Sequence, residues 1–286
     1  ALFWSADFTG SGLPLAEAYE NITLVTREGS REVYDDIARI SLTPKGEILI
    51  DGKENEGAET DRRTPRQEVR VHTSELVVPK GKRAHLQLSD GTRVWINSAS
   101  VLRFPSAFGD TRDVFVEGEA YFEVEADRKS PFYVHTDAGM SVYVYGTSFN
   151  VNAYDDEPAI RTVLEKGRVN VVAPDRTTVR IEPGEQVVFD RRTGALTCSQ
   201  VRVEDECAWR DGRLVFRNTP LDEVLHRLAR HYNVDIEFRN HSDEVFRYRA
   251  TFRDETLTQI FDYLSASADI RWRVVAPERR DGDSYT

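Results

Sequence analysis

From residue 20 to about residue 205, short β-rich runs recur every 8–12 residues, each bounded by glycine-containing turns. Reversal at that interval is what an all-β fold demands, because each strand must turn back to find partners for its backbone N–H and C=O groups. The runs include Ile22–Thr26, Glu47–Ile50, Ala84–Leu88, Arg93–Ile96, Val114–Val124, Ser141–Tyr145, Arg168–Val172 and Gln186–Phe189. Asp90-Gly91, between Ala84–Leu88 and Thr92–Ile96, has the signature of a two-residue type I′ hairpin. Lys45-Gly46 and Pro183-Gly184 read as further turns. No stretch of this region keeps the helical period of about 3.6 residues beyond two turns. It is predicted to be a β domain.

Asp51 to Arg70 interrupts the rhythm with Gly52, Gly57, Pro65 and dense charge, and reads as a loop or linker. Residues 1–72 are therefore expected to form an N-terminal arm with a few strands, and residues 73–205 the main β domain. The pattern changes at Trp209. Leu221, Val224, Leu225 and Leu228 recur 36 residues later as Leu257, Ile260, Phe261 and Leu264. Both sets follow i, i+3, i+4, i+7, one apolar stripe of an amphipathic helix. Thr219 is placed to cap the first helix and Pro220 to occupy N1, where its missing N–H costs nothing. A β-run precedes each helix, Arg213–Phe216 and Arg247–Phe252, and another follows, Val234–Phe238 and Ile270–Val275. The expected fold is thus mainly β plus α+β. An all-β domain, solenoid-like or sandwich, leads into a βαβ–βαβ domain over 209–277, with two helices packed on a small sheet and a tail at 278–286.

The 286 residues suit two domains, and 40% hydrophobic content is enough to build their cores. Acidic side chains outnumber basic ones 49 to 38, a net charge of −11. So acidic a chain is a poor binder of phosphate backbones, which sets nucleic acid aside. No apolar run approaches the ~20 residues that span a bilayer, so the chain as it stands reads as soluble. It starts at Ala1 and its single methionine is Met140, so a longer precursor is expected.

The search for chemistry returns little. Glu117, Glu119, Glu123 and Glu125 invite a glycosidase reading, but they alternate with Val116, Gly118, Ala120, Phe122 and Val124. On a strand that puts the carboxylates and Tyr121 on one face, which reads as solvated. His72, His85, His135, His226, His231 and His241 form no HxH or HExxH arrangement, and a structural or surface role is expected of each. Nucleophile elbow, Walker loop and GxGxxG are absent, so no catalytic residue, metal or cofactor is expected. The basic pairs Arg62-Arg63, Arg191-Arg192 and Arg279-Arg280 read as solvated turns. Cys198 and Cys207 are too few for a disulfide scaffold or zinc site; they could bridge a short loop or stand as packed or free thiols.

Several motifs nonetheless occur in a telling order. Val77-Val78-Pro79-Lys80-Gly81 precedes Leu86-Gln87-Leu88-Ser89-Asp90-Gly91-Thr92-Arg93-Val94-Trp95-Ile96-Asn97-Ser98. Phe115-Val116-Glu117-Gly118-Glu119-Ala120-Tyr121-Phe122-Glu123-Val124, Tyr145-Gly146-Thr147-Ser148-Phe149-Asn150-Val151 and Pro183-Gly184-Glu185-Gln186 follow. Together they resemble the FecR family of membrane-bound anti-sigma factors in the form common among Bacteroidetes. The run Leu214-Val215-Phe216-Arg217-Asn218-Thr219-Pro220-Leu221 resembles the C-terminal domain of those proteins, itself similar to the short N-terminal signalling modules of secretins and TonB-dependent receptors.

The resemblance covers roughly residues 20–275 and implies the periplasmic part of a single-pass inner-membrane protein. A cytoplasmic region and a transmembrane helix outside this sequence would hold an extracytoplasmic-function sigma factor. The part in hand would bind the periplasmic signalling domain of a TonB-dependent outer-membrane transporter. Exposed edge strands can take up a partner's strand, which directs attention to Val234–Phe238 and Arg247–Phe252, with Tyr248, Arg249 and Phe252 as anchors. The family also implies a candidate self-cleavage bond, Gly146-Thr147, where the threonine hydroxyl would attack the glycine carbonyl. Ser148 departs from that pattern, and the plain alternative is that Gly146 forms a bulge. A competing reading is a carbohydrate-binding module or secreted glycan-active protein, which needs coplanar aromatics on one exposed face; Trp95, in Val94-Trp95-Ile96, reads as buried instead. An envelope scaffold associated with a secretin is a third reading, favoured only by the C-terminal domain.

Overall fold

The computed structural model describes residue 16 and residues 19–26, 29–33, 35–43, 47–50, 53–54, 72–240, 245–268 and 270–275. The Lys45-Gly46 turn, all but Lys53–Glu54 of the polar stretch, His241, Arg62-Arg63, Arg279-Arg280 and the tail lie outside the described residues.

Hairpin β1 (Ile22–Thr26) and β2 (Gly29–Val33) leads into β3 (Ile37–Leu42), β4 (Ile48–Ile50) and β5 (Lys53–Glu54). Next come β6 (Thr73–Val78), β7 (Arg83–Gln87), β8 (Arg93–Ile96), β9 (Ser100–Pro105) and the long β10 (Arg112–Glu123). They are followed by β11 (Phe132–His135), β12 (Ser141–Val144), β13 (Ser148–Ala153) and β14 (Ala159–Lys166). The series closes with β15 (Val169–Val172), β16 (Thr178–Ile181), β17 (Glu185–Asp190) and β18 (Leu196–Gln200). The eight runs singled out between residues 20 and 205 each fall on one of these strands.

The ladders make two sheets. One runs β2-β1-β6-β9-β10-β11-β12-β15-β16. The other runs β5-β4-β3-β7-β8-β10-β13-β14-β17-β18. From β11 onward the chain lays down successive pairs in alternate sheets, so it winds like a double-stranded solenoid while its sheets face one another like a sandwich. Inward side chains from both sheets, such as Leu24, Leu76, Val94, Phe122, Val142, Phe149 and Val171, form one buried core. Each such side chain contributes about 1.5–3 kcal/mol by leaving water. The strands before residue 54 are no separate arm, because β1 pairs with β6 and β3 with β7.

Among the described strands only β10 belongs to both sheets. Its pairing passes from β9 at Glu117↔Val101 to β13 at Gly118↔Ala153. Gly118 has φ +91°, and a Cβ there would lie 2.3 Å from Ser100 Oγ and 2.8 Å from the Ala99 carbonyl. A side chain would push the two sheets apart at their crossing. Another local expectation is corrected: Leu88 N–H donates to Thr92 O, so the Asp90-Gly91 hairpin has a three-residue loop. Asp90 stabilises it by accepting bonds from the Thr92 N–H and hydroxyl.

A short helix α1 (Val203–Glu206) and a 3₁₀ turn (Ala208–Asp211) lead to the C-terminal unit. Strand β19 (Leu214–Pro220), helix α2 (Leu221–Tyr232), strand β20 (Arg247–Phe252) and helix α3 (Leu257–Ser267) share a second core. Phe216, Leu221, Val224, Leu225, Leu228, Phe252, Ile260 and Leu264 build it, so the 36-residue repeat is a repeat of helix faces. Thr219 does not cap α2. It lies on β19, beside Asn218 at φ 57°, where its hydroxyl accepts from Arg217 N–H, and Pro220 takes the cap position. Helix α3 starts at a reciprocal capping box of Thr256 and Gln259. Segments 234–238 and 270–275, expected as strands, have no regular secondary structure and join no ladder among the described residues.

Gly118→Val should therefore lower the unfolding free energy by about 3 kcal/mol in urea titrations followed by circular dichroism. Gly194→Ala, at φ +73° with open space around it, should cost about 1 kcal/mol and isolates the backbone contribution from the crossing contact.

Candidate functional site

The odd-numbered face of β10 is not uniformly solvated. Glu119 and Tyr121 are buried, because the chain leaving β18 folds back over them. Tyr121 packs with Cys207 and Trp209, and the guanidinium of Arg210 lies 3.6 Å from its ring centre. Its hydroxyl donates to Glu165, and burial pushes its pKa up. Trp209 Nε1 donates to Asn150 Oδ1 at 3.2 Å. Asn150 and Asn97 in turn donate to the two oxygens of Glu119, at 2.9 and 2.8 Å. Burial raises the pKa of Glu119, and these amides oppose the rise.

Helix α2 docks beside this network through charge. Arg230 donates to both oxygens of Asp156, at 3.0 and 3.1 Å, and to Glu157 Oε1 at 2.5 Å, with its guanidinium 3.8 Å from the Tyr154 ring centre. Arg161 donates to the other Glu157 oxygen at 2.6 Å, and Arg227 to Glu223 at 2.8 Å. Burial opposes the charge of Glu157, but Arg230, Arg161 and Arg227 outweigh it and hold the carboxyl below its usual range. The backbone completes the clasp: Gly81 N–H donates to Arg230 O at 2.8 Å, and Arg83 Nη1 to Trp209 O at 2.7 Å. His231, last but one in α2, is pushed down to about 4, first by burial and then by the charge of Arg83. These groups enclose a cavity of about 50 Å³, lined also by Asn152 and Arg213, large enough for a few water molecules. Sequence reasoning missed the clasp, although Glu223, Arg227 and Arg230 follow i, i+4, i+7 as a charged stripe beside the apolar one.

The far side of the C-terminal unit faces solvent. Along β20 the even positions turn toward the helices and the odd positions outward. Of the three expected anchors, Phe252 is therefore core, Tyr248 is half-buried against that core, and only Arg249 is exposed. The unpaired segments carry exposed apolar side chains, Phe238, Val274 and Val275, the second at 83% exposure. Trp272 stacks on Phe261 at 5.4 Å, which ties the last segment to α3.

The remaining candidates are separated. Gly146, at φ +143°, passes so close to Ala126 that a Cβ would lie 2.8 Å from it. Thr147 is buried and its hydroxyl donates to Arg168 O at 3.0 Å, a bond that fixes the strand entry. Cys198 and Cys207 are free thiols: the first is exposed on the outermost strand β18, the second is buried under Trp209 and raised to about 12 by burial. A bridge between them is thus not formed. Trp95 is half-buried rather than buried, since it points away from the core that holds Val94 and Ile96, and it meets Tyr121 edge-on. Among the described residues no group of His, Cys, Asp and Glu could hold a metal ion, and no helix is long and apolar enough to cross a membrane.

Residues 71–170 match the family model described as FecR protein, and residues 213–279 the model described as FecR, C-terminal. Two crystal structures of a candidate anti-sigma factor from Parabacteroides distasonis ATCC 8503, at 1.65 and 2.50 Å resolution, have TM-scores of 0.67 and 0.66 with this chain. Each shares 32% identity over 71% of this chain and 95% of its own. The chain belongs to the FecR family of anti-sigma factors. None of the curated proteins matches it. In this FecR protein the clasp joins the two matched regions directly, since Gly81, Asp156 and Glu157 lie in the first and Arg230 in the second.

Arg230→Met should cost about 3 kcal/mol, because it leaves the buried Glu157 carboxylate with Arg161 alone as its ion-pair partner and takes the partner from Asp156. Scanning calorimetry should show the C-terminal unit melting ahead of the β domain, and Arg230→Met/Glu157→Gln should recover part of the loss. A pH effect follows from His231. Its native pKa lies below its usual 6.5, so the unfolded state binds more protons between pH 6.5 and 4. Stability from this group is complete above pH 6.5 and falls as pH drops through that window, by about 2 kcal/mol after solvent screening. Raised Glu119 and Glu206 act in the opposite direction, so the test is the difference between wild type and His231→Gln, which should lose that slope.

Proposed function

We propose that this chain is the periplasmic, signal-receiving part of a membrane-anchored anti-sigma factor. Its partner is the signalling domain of a TonB-dependent outer-membrane transporter, and its output is release or retention of an extracytoplasmic-function sigma factor held by a region outside this sequence. The observation that carries the reading is the asymmetry of the C-terminal unit. One side is clasped to the β domain, while the other leaves the odd-numbered face of β20 and the side chains of Phe238, Val274 and Val275 exposed. Strand β20 pairs on one side only, with β19, among the described residues. Such an edge is a template for an added strand, and a rigid clasp would carry the force or rotation of docking into the β domain. Family membership supports the anti-sigma role. The glycan-binding alternative is weaker, since Trp95 meets His85 at 56° and Tyr121 at 75° instead of sharing a plane with them.

Calorimetric titration of the full chain with the signalling domain of the transporter encoded beside it should give micromolar or tighter binding. Phe238→Asp/Val274→Asp should weaken it about tenfold at unchanged melting temperature. Absence of heat from a folded chain would overturn the reading. Mass spectrometry bears on the Gly146-Thr147 bond. With the Thr147 hydroxyl held by Arg168, a single intact chain is expected after prolonged incubation, and paired fragments meeting at that bond would reverse this expectation.

A further inference from the structure

The outward face of β20 carries cations for which the described residues supply no ion-pairing carboxylate. Arg247 and Arg249 occupy alternate exposed positions, and Arg253 follows just past the strand's end. Among the described residues none of the three side chains is in an ion pair; Arg247 donates to the Asn218 carbonyl. Register makes the placement more costly. Arg249 lies directly opposite Arg217 in the β19–β20 ladder, a like-charge pair that a two-stranded sheet would be more stable without. Arg217 is neutralised by Asp205, at 3.1 and 3.3 Å, whereas Arg249 has no such pair among the described residues. The wider balance agrees: residues 213–279 hold eleven arginines and eleven carboxylates, so the chain's net charge of −11 resides elsewhere.

We infer that the outward face of β20 docks an acidic, extended segment of a partner protein, with carboxylates at alternate positions set against Arg247 and Arg249. The spacing suits it. Alternate residues of a strand are about 6.8 Å apart, so a partner strand along the open edge of β20 presents its every second side chain at the interval of these arginines. Main-chain bonds along the edge supply affinity, while arginine–carboxylate pairs fix register and accelerate encounter. The inference deepens the docking reading above and rests on it, because it specifies the chemistry of the segment that docks.

The test uses the full chain and two synthetic peptides of about nine residues, one alternating glutamate with valine or threonine, the other with lysine in place of glutamate. Anisotropy should detect the glutamate peptide, with affinity falling about tenfold between 50 and 300 mM salt. The lysine peptide should not bind. Arg247→Glu/Arg249→Glu, which should keep the wild-type melting temperature, should lose the glutamate peptide by tenfold or more. Equal binding of both peptides, or an unchanged affinity in the double variant, would overturn the inference. Binding of phosphatidylglycerol vesicles alone would also overturn it, in favour of a lipid surface. The transporter domain separates the two claims. If it binds wild type and variant alike at either salt, docking stands and the acidic segment falls. If it binds neither while the glutamate peptide still binds, the docking reading falls and the acidic preference stands.

Discussion

The guanidinium of Arg230, held between Asp156 and Glu157 above the ring of Tyr154, determines how the two cores of this protein sit against each other. Removing such charges from water is expensive, and their mutual attraction roughly offsets that expense. What the pairing supplies is orientation. A purely apolar junction between a β domain and a small α+β unit could slide, whereas a fork of donors matched to two carboxylates tolerates one arrangement. The Gly81–Arg230 backbone bond and the Trp209–Asn150–Glu119 chain repeat the constraint on either side.

Fixing one side of the C-terminal unit determines what the other can do. With α2 turned inward, the odd-numbered face of β20 turns outward, and Arg249, Phe238, Val274 and Val275 are exposed on that side. A signalling module needs both properties. It must be able to hold a partner, and it must be joined stiffly enough to the rest of the chain for that contact to matter elsewhere.

Much of the fold could be read from periodicity. Strand spacing and the 36-residue repeat located β1, β4, β7, β8, β10, β12, β15, β17 and both long helices, because burying one face imposes a period that propensity alone cannot imitate. Local chemistry misled where a neighbour competed. The hydroxyl of Thr219 satisfied its own strand rather than the helix, and Asp90 bonded Thr92 and so enlarged the hairpin loop. Glu119 and Tyr121 were misread for a different reason. Their alternation correctly put them on the face away from the core, but whether water or another part of the chain covers that face is not encoded within the strand.

The sequence by itself determined the two cores, the order of their elements and the family, since each depends on residues near one another or on repeated spacing. Tertiary structure decided that β10 serves both sheets at Gly118, that Arg230 finds Glu157 73 residues away, and that Phe252 is core while Arg249 is surface. Those outcomes depend on which surfaces meet. A charged stripe reads the same in sequence whether it ends in solvent or in a clasp, and only the docking of α2 on the second sheet separates the two.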